Sequence, residues 1–212
     1  HQKLNNRVEP EIKTREVEYH FGLMQKNARF LRKLVHAYFI NKNYDKKSVY
    51  SWHNKGMDSS WGSQDKIALT TLNIPIDFDS YSKPIHYDNE WHEDEWKIHN
   101  DIFNTALPIV VETTATRDDP NSFMGDSWQH KDNYFLSEKT YKNFWYGLPY
   151  LHLGIPYINY RLNELGYKTF ENMFKIDDIP VNTNADGLKN DFKRIDMIED
   201  ISIEELMRIL NS

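Results

Sequence analysis

The sequence contains no cysteine. A chain without thiols forms no disulfide framework and no thiolate metal site, so zinc-finger proteins and enzymes with a thiol nucleophile are excluded. Long apolar runs are missing too, since runs such as residues 106–111 are far shorter than the roughly 20 residues that cross a bilayer. We therefore expect no membrane partner.

Positive charge is also scarce. The 212 residues carry 26 Lys and Arg against 32 Asp and Glu, a formal net charge of −6. A surface that neutralises a nucleic-acid backbone needs an excess of basic residues, so nucleic acid is not a favoured partner. The Gly-x-Ser-x-Gly elbow and the phosphate loop of nucleoside triphosphatases are absent as well. Hydrolases that use this elbow and nucleoside triphosphatases that use this loop are therefore excluded.

What the chain does contain is a succession of short apolar strands and helical patterns. Residues 1–16 are polar and include Pro10, which indicates an N-terminal arm or linker. Residues 17–212 form one domain in our interpretation and end in a helix, whose start is indicated by the capping box Ser202-Ile203-Glu204-Glu205. Strands are predicted at residues 17–23, 49–52, 109–112 and 150–153. Their alternation with helices predicts an α/β fold with a Rossmann-like, doubly wound parallel sheet.

The first helix is predicted after the first strand, with Asn27 as its N-cap. Apolar residues recur there at helical spacing from Phe30 to Phe39. The remaining positions give a basic face that carries Arg29, Arg32 and Lys33.

A later helix predicts a more specific site. Ser137 is placed to cap a helix over residues 138–146 that stops at Gly147, so Glu138 and Lys139 fall in its first turn. The free N–H groups of a helix start attract anions, which suits a pyrophosphate. Glu138 would accept hydrogen bonds from ribose hydroxyls, and Lys139 would pair with the phosphates. Glu138 also fits the simpler role of matching the helix dipole.

Two segments that surround this site resemble a known family. IVVET at residues 109–113 is followed by YFLSEK at residues 134–139, and then by Gly147-Leu148-Pro149 and Gly154. This order is similar to the donor-binding motif of α1,3-fucosyltransferase-like enzymes, and more so to their relatives in phages and large viruses. LNELGYKTF at residues 162–170 resembles a further segment of those viral relatives. After Phe174, however, KIDDI replaces the acidic segment that often follows in them.

The resemblance implies the carboxyl-terminal half of a GT-B glycosyltransferase. The donor would be a nucleoside diphosphate sugar, with no metal or further cofactor, and the acceptor would be a carbohydrate or another molecule. The acceptor site and the catalytic base would belong to a separate domain or chain. The resemblance also implies a cytoplasmic location, in the host cytoplasm if the protein is viral.

The same resemblance assigns roles to particular residues. Glu112 would lie near the transferred sugar as the catalytic candidate. The remaining candidates would bind the nucleotide: Arg29 or Arg32, Tyr134, Ser137, Glu138 and Lys139.

Three alternatives stay open. Asp77-Phe78-Asp79 has the acidic spacing of metal-dependent transferases, although the neighbouring Pro75 and Ser80 favour a solvated turn. A second group could supply metal ligands but is also typical of a charged surface helix: His86, Asp88, His92, Glu93, Glu95 and His99. The third alternative is a non-catalytic interaction module that retains the glycosyltransferase fold.

Overall fold

The computed structural model describes residues 15–55, 59–85, 100–111, 138–153, 162–167 and 184–211. Strands and helices alternate through most of this part of the chain. In order they are β1 (Tyr19–Asn27), α1 (Phe30–Lys42), β2 (Val49–Lys55), α2 (Ser63–Thr71), α3 (Phe78–Tyr81), β3 (Thr105–Val111), α4 (Glu138–Tyr146), β4 (Leu151–Leu153), α5 (Asn184–Glu199) and α6 (Ile203–Leu210). Two short 3₁₀ helices, Tyr44–Lys47 and Asn100–Asn104, precede β2 and β3.

The four strands form one parallel sheet in the order β2-β1-β3-β4. The predicted α/β class and the predicted parallel sheet flanked by helices are thus confirmed, and the arrangement is compatible with a Rossmann-like fold. From β1 the chain passes to β2 on one side, and it then crosses to β3 on the other side. Strand order therefore reverses between β1 and β3, which makes a topological switch point there.

Helices cover both faces of the sheet. On one face, Phe21 and Leu23 of β1 and Tyr50 and Trp52 of β2 join a large apolar cluster that includes residues of α1, α5 and α6. On the other face, Val49 packs with Ile102 and Leu148. The backbone at Gly22 approaches this second cluster so closely that a Cβ there would lie 2.7 Å from Ile102 Cδ1.

The central strand β3 has the sequence expected of a strand that is covered on both faces. All seven of its residues are buried. A strand with helices over both faces requires a continuous apolar run, not an alternating one. The sequence Thr-Ala-Leu-Pro-Ile-Val-Val satisfies that requirement.

Capping residues in the sequence predicted several helix ends correctly. α4 stops at Tyr146, and Gly147 follows with a positive φ of 61°. Ser202 caps α6, because its hydroxyl oxygen accepts the Glu205 N–H at 3.3 Å. The Glu205 carboxylate pairs with Arg208 at 2.6 and 2.7 Å, so only half of a capping box forms.

Other boundaries differ from the prediction. Asn27 is not the N-cap of α1, because β1 extends through Asn27 and Arg29 takes the cap position. Gly, Ser and Asn residues predict a loop over residues 52–64, but β2 continues to Lys55 and α2 begins at Ser63. The pattern from Pro156 to Leu165 predicts a helix with Gly166 at its C-terminal cap; Gly166 has a positive φ of 86°, and the start of that helix lies outside the described residues. No helix in the described ranges is long and apolar enough to cross a membrane.

Candidate functional site at the carboxyl edge of the sheet

The switch point lies at the carboxyl ends of β1 and β3, where open α/β sheets bind their ligands. α1 begins directly after β1, so its first turn lies at this edge. Arg32 joins the first turn to the neighbouring strand, because its Nε donates to the carbonyl of Val111 at 3.2 Å. Val111 is the last residue of β3. One buried side chain thus connects both sides of the switch point.

The start of α1 has an unusual distribution of charge. Arg29 holds the N-cap position in an extended conformation and makes no side-chain capping hydrogen bond. The first turn contains no acidic residue, and it includes Arg32 and Lys33. Helix starts carry partial positive charge and normally attract acidic side chains. A helix start of this kind is a candidate site for a bound anion.

Arg29 and Arg32 belong to the predicted basic face of α1, and this face is buried at Arg32. Its exposed fraction is 5%, whereas Arg29 is half-buried. The long side chain of Arg32 turns towards the sheet because the Val111 carbonyl at the end of β3 accepts its hydrogen bond. Helical spacing alone does not reveal such an acceptor 79 residues away.

Lys33, the third residue of the predicted basic face, is buried as well. Its Nζ lies 2.8 Å from both carboxylate oxygens of Asp65 and donates to the carbonyl of Ser60 at 2.9 Å. The ammonium group also lies 5.2 Å from the centre of the Trp61 ring. Both partners of the ion pair are buried. Lys33 therefore holds the segment before α2 against α1, and we assign it a structural role that the sequence pattern did not indicate.

α4 brings the second group of candidates to the same edge. Its last residue, Tyr146, packs edge-to-face on Phe103 at 5.3 Å, just before the start of β3. The end of α4 is thus at the amino edge of the sheet, so the helix runs from its first turn towards that edge. Lys139 is half-buried in this first turn. The Glu138 side chain lies outside the described residues, as do Glu112, Tyr134 and Ser137.

The acidic pair of the metal-dependent alternative has a local explanation. Asp77 caps α3, since its Oδ1 accepts the Ser80 N–H at 3.1 Å. The hydrogen bonds from Ser80 lower the pKa of Asp77. Within the described part of the chain, no three His, Asp or Glu side chains come together as a metal site. The histidine-rich group from His86 to His99 lies outside that part.

The chain matches no protein-family model, and comparisons with curated proteins and with solved structures found no significant match.

Proposed function

We propose that the protein binds a nucleoside diphosphate sugar at the carboxyl edge of its sheet, as the donor-binding domain of a GT-B glycosyltransferase. The observation that supports this most directly is the start of α1 at the switch point. It combines a helix N-terminus, Arg29 and Arg32, and it has no acidic residue in its first turn. A diphosphate supplies the negative charge that this arrangement favours.

The second helix start supports the same ligand. Lys139 lies in the first turn of α4, which approaches the edge from the other face of the sheet. A diphosphate between the two helix starts would contact Arg29 or Arg32 on one side and Lys139 on the other. The carboxylate of Glu138 would accept hydrogen bonds from the ribose. Tyr134 and Ser137 precede α4 in the chain and would complete the nucleotide site.

The reaction follows from this charge distribution. As the bond between the sugar and the diphosphate breaks, negative charge develops on the leaving diphosphate. Arg29 or Arg32, Lys139 and the helix N–H groups would stabilise that charge in the transition state. Glu112 follows the last residue of β3 and would lie near the transferred sugar. The acceptor would be a carbohydrate or another molecule held by a separate domain or chain.

Calorimetric titration tests the binding step. We expect uridine or guanosine diphosphate to bind more tightly than the corresponding nucleoside, because the phosphate contacts carry the charge-assisted hydrogen bonds. Absence of binding by both diphosphates would reject the proposal.

Turnover separates an enzyme from a binding module. Purified protein is incubated with nucleotide sugars, with and without candidate glycan acceptors, and release of the nucleoside diphosphate is measured. Binding without hydrolysis or transfer would favour a non-catalytic module. Loss of turnover in Asp77→Asn, together with a requirement for Mn²⁺, would favour the metal-dependent alternative.

A further inference from the structure

Gln25 is a polar residue in an otherwise apolar face of the sheet. It follows Phe21 and Leu23 at the two-residue spacing of β1, and these two side chains lie in the large apolar cluster. Only 1% of Gln25 is exposed. Its partner in register on β2 is Trp52, which is fully buried in the same cluster. The amide and the indole are therefore neighbours on one face of two paired strands.

Three polar atoms of this pair need partners. Among the described residues, neither Gln25 Nε2, Gln25 Oε1 nor Trp52 Nε1 has one. The polar ring of His36 stacks on Trp52 with ring centres 4.3 Å apart. Both of its nitrogens are engaged, Nδ1 with the Tyr50 hydroxyl and Nε2 with the Tyr81 carbonyl. The backbone N–H and carbonyl of Trp52 are also paired, in both cases with Ile85.

Buried polar atoms without partners destabilise a folded protein, and folded proteins retain few of them. Ordered water is the usual partner where protein groups are missing, and such a water typically makes about three hydrogen bonds. The pair offers three donor hydrogens, one on the indole and two on the amide NH₂, and one acceptor, the amide oxygen. A single water can accept from the indole N–H and donate to the amide oxygen, which gives partners to two of the three atoms.

We propose that Gln25 and Trp52 form a buried binding site for one water molecule between the sheet and α1. The water accepts from Trp52 Nε1 and donates to Gln25 Oε1. This inference concerns the interior of the sheet and does not depend on the nucleotide proposal.

Nuclear magnetic resonance tests the site directly. A water held at this position stays long enough to give a rotating-frame Overhauser cross-peak to the indole proton of Trp52. Trp52→Phe identifies that resonance among the six tryptophans of the chain. We expect the cross-peak in the unmodified protein and its loss in Gln25→Met. Absence of the cross-peak in the folded, unmodified protein would overturn the proposal.

Thermal unfolding gives a second test. The change in Tm caused by Gln25→Met should have opposite signs with and without the bound water. With the water present, Gln25→Met removes an acceptor and leaves the indole N–H unpaired, so Tm should fall by roughly 2–6 °C. Without the water, the substitution removes two buried polar atoms that have no partner, and Tm should rise. Leu23→Met, on the same face of β1, is the matched control and should lower Tm less than Gln25→Met does. A rise in Tm for Gln25→Met would contradict the proposed site.

Discussion

His36 is a buried titratable side chain whose two nitrogens are both engaged. Its Nδ1 accepts from the Tyr50 hydroxyl at 2.5 Å, and its Nε2 donates to the Tyr81 carbonyl at 3.0 Å. This pattern fits the neutral ring with its proton on Nε2. Burial lowers the pKa of His36 to about 3, and the hydrogen bond with Tyr81 opposes that shift only in part. His36 is therefore uncharged in the folded protein at neutral pH.

The free energy of unfolding should therefore depend on pH through His36. In the unfolded chain a histidine titrates near 6.5, so below that pH the unfolded state binds a proton that the folded state does not. The contribution of His36 is fully present above about pH 6.5 and is lost as the pH falls towards 3. Between these two pH values, titration of His36 lowers the free energy of unfolding by up to about 1.4 kcal/mol for each pH unit of acidification. Urea unfolding at several pH values between 7.5 and 4.5 measures this slope.

His36→Gln is the control for this measurement, because it removes the titrating group and leaves the carboxylates unchanged. The free energy of unfolding of this variant should fall less steeply with acidification. Identical slopes in the two proteins would show that His36 does not titrate in this way.

Lys139→Ala tests the phosphate contact at the start of α4. The substitution should weaken nucleoside diphosphate binding by roughly tenfold or more, since one charge-assisted hydrogen bond contributes about 1.5–3 kcal/mol. Nucleoside binding should change little. Titration calorimetry compares the two ligands, with Lys142→Ala, one turn further along α4, as the matched control. Equal weakening of both ligands would contradict a phosphate role for Lys139.

Glu138→Gln separates two roles of one carboxylate. As a partner of the helix dipole alone, Glu138 contributes about 0.3–1 kcal/mol to stability, so Tm should fall slightly while nucleotide binding is unchanged. As a ribose acceptor, its loss should reduce nucleotide affinity by about 1.5–3 kcal/mol with the fold intact. Titration of both proteins with uridine and guanosine diphosphates distinguishes these outcomes. Unchanged affinity would reject Glu138 as a ligand residue.

At the scale of elements, α5 is attached to α1 and the following turn through one carboxylate. Asp196 accepts hydrogen bonds from the hydroxyls of Tyr38 and Tyr44 and pairs with Lys42 at 3.0 Å. Tyr38 also stacks on Phe192 with ring centres 3.8 Å apart. Burial and the Asp196 carboxylate raise the pKa of both tyrosines. Their hydroxyls therefore stay protonated and continue to donate at neutral pH.

Asp196→Ala should weaken this attachment. Two partly buried hydroxyls lose a charged acceptor, so we expect the free energy of unfolding to fall by roughly 1.5–3 kcal/mol. Amide hydrogen exchange in α5 should accelerate more than exchange in β3, because α5 would open locally.

Asp191→Ala is the matched control on the same helix. Asp191 pairs with Arg194 three residues later, and a pair of this kind contributes about 0.5 kcal/mol or less. Equal losses in the two variants would contradict a special role for Asp196.

At the scale of the whole molecule, the proposed ligand would join helices from opposite faces of the sheet. Binding to the folded state alone stabilises that state by about 2.7 kcal/mol at a ligand concentration 100 times Kd. For a domain of this size, Tm should rise by roughly 5–10 °C. The rise should shrink with added salt, because the contacts are charged. An equal rise with nucleoside alone would show that the phosphates do not contribute.

Much of this architecture followed from the sequence. The β-branched run at residues 109–112 indicated the carboxyl end of β3, although the strand begins at Thr105, and Gly147 and Ser202 indicated the end of α4 and the start of α6. These signals are local, because a strand or a helix end depends on residues that are close in the chain. Alternation of the elements was enough to predict the parallel sheet.

Only the tertiary structure determined the strand order and the hydrogen-bond partners of the basic residues in the first turn of α1. Arg32 bonds to Val111, 79 residues away, and Lys33 bonds to Asp65, 32 residues away. The attachment of α5 depends on Tyr38 and Asp196, which are 158 residues apart. Periodicity indicates which side chains share a face, but it holds no information on distant acceptors. A buried charge requires a specific partner, and only the folded chain brings that partner within hydrogen-bond distance.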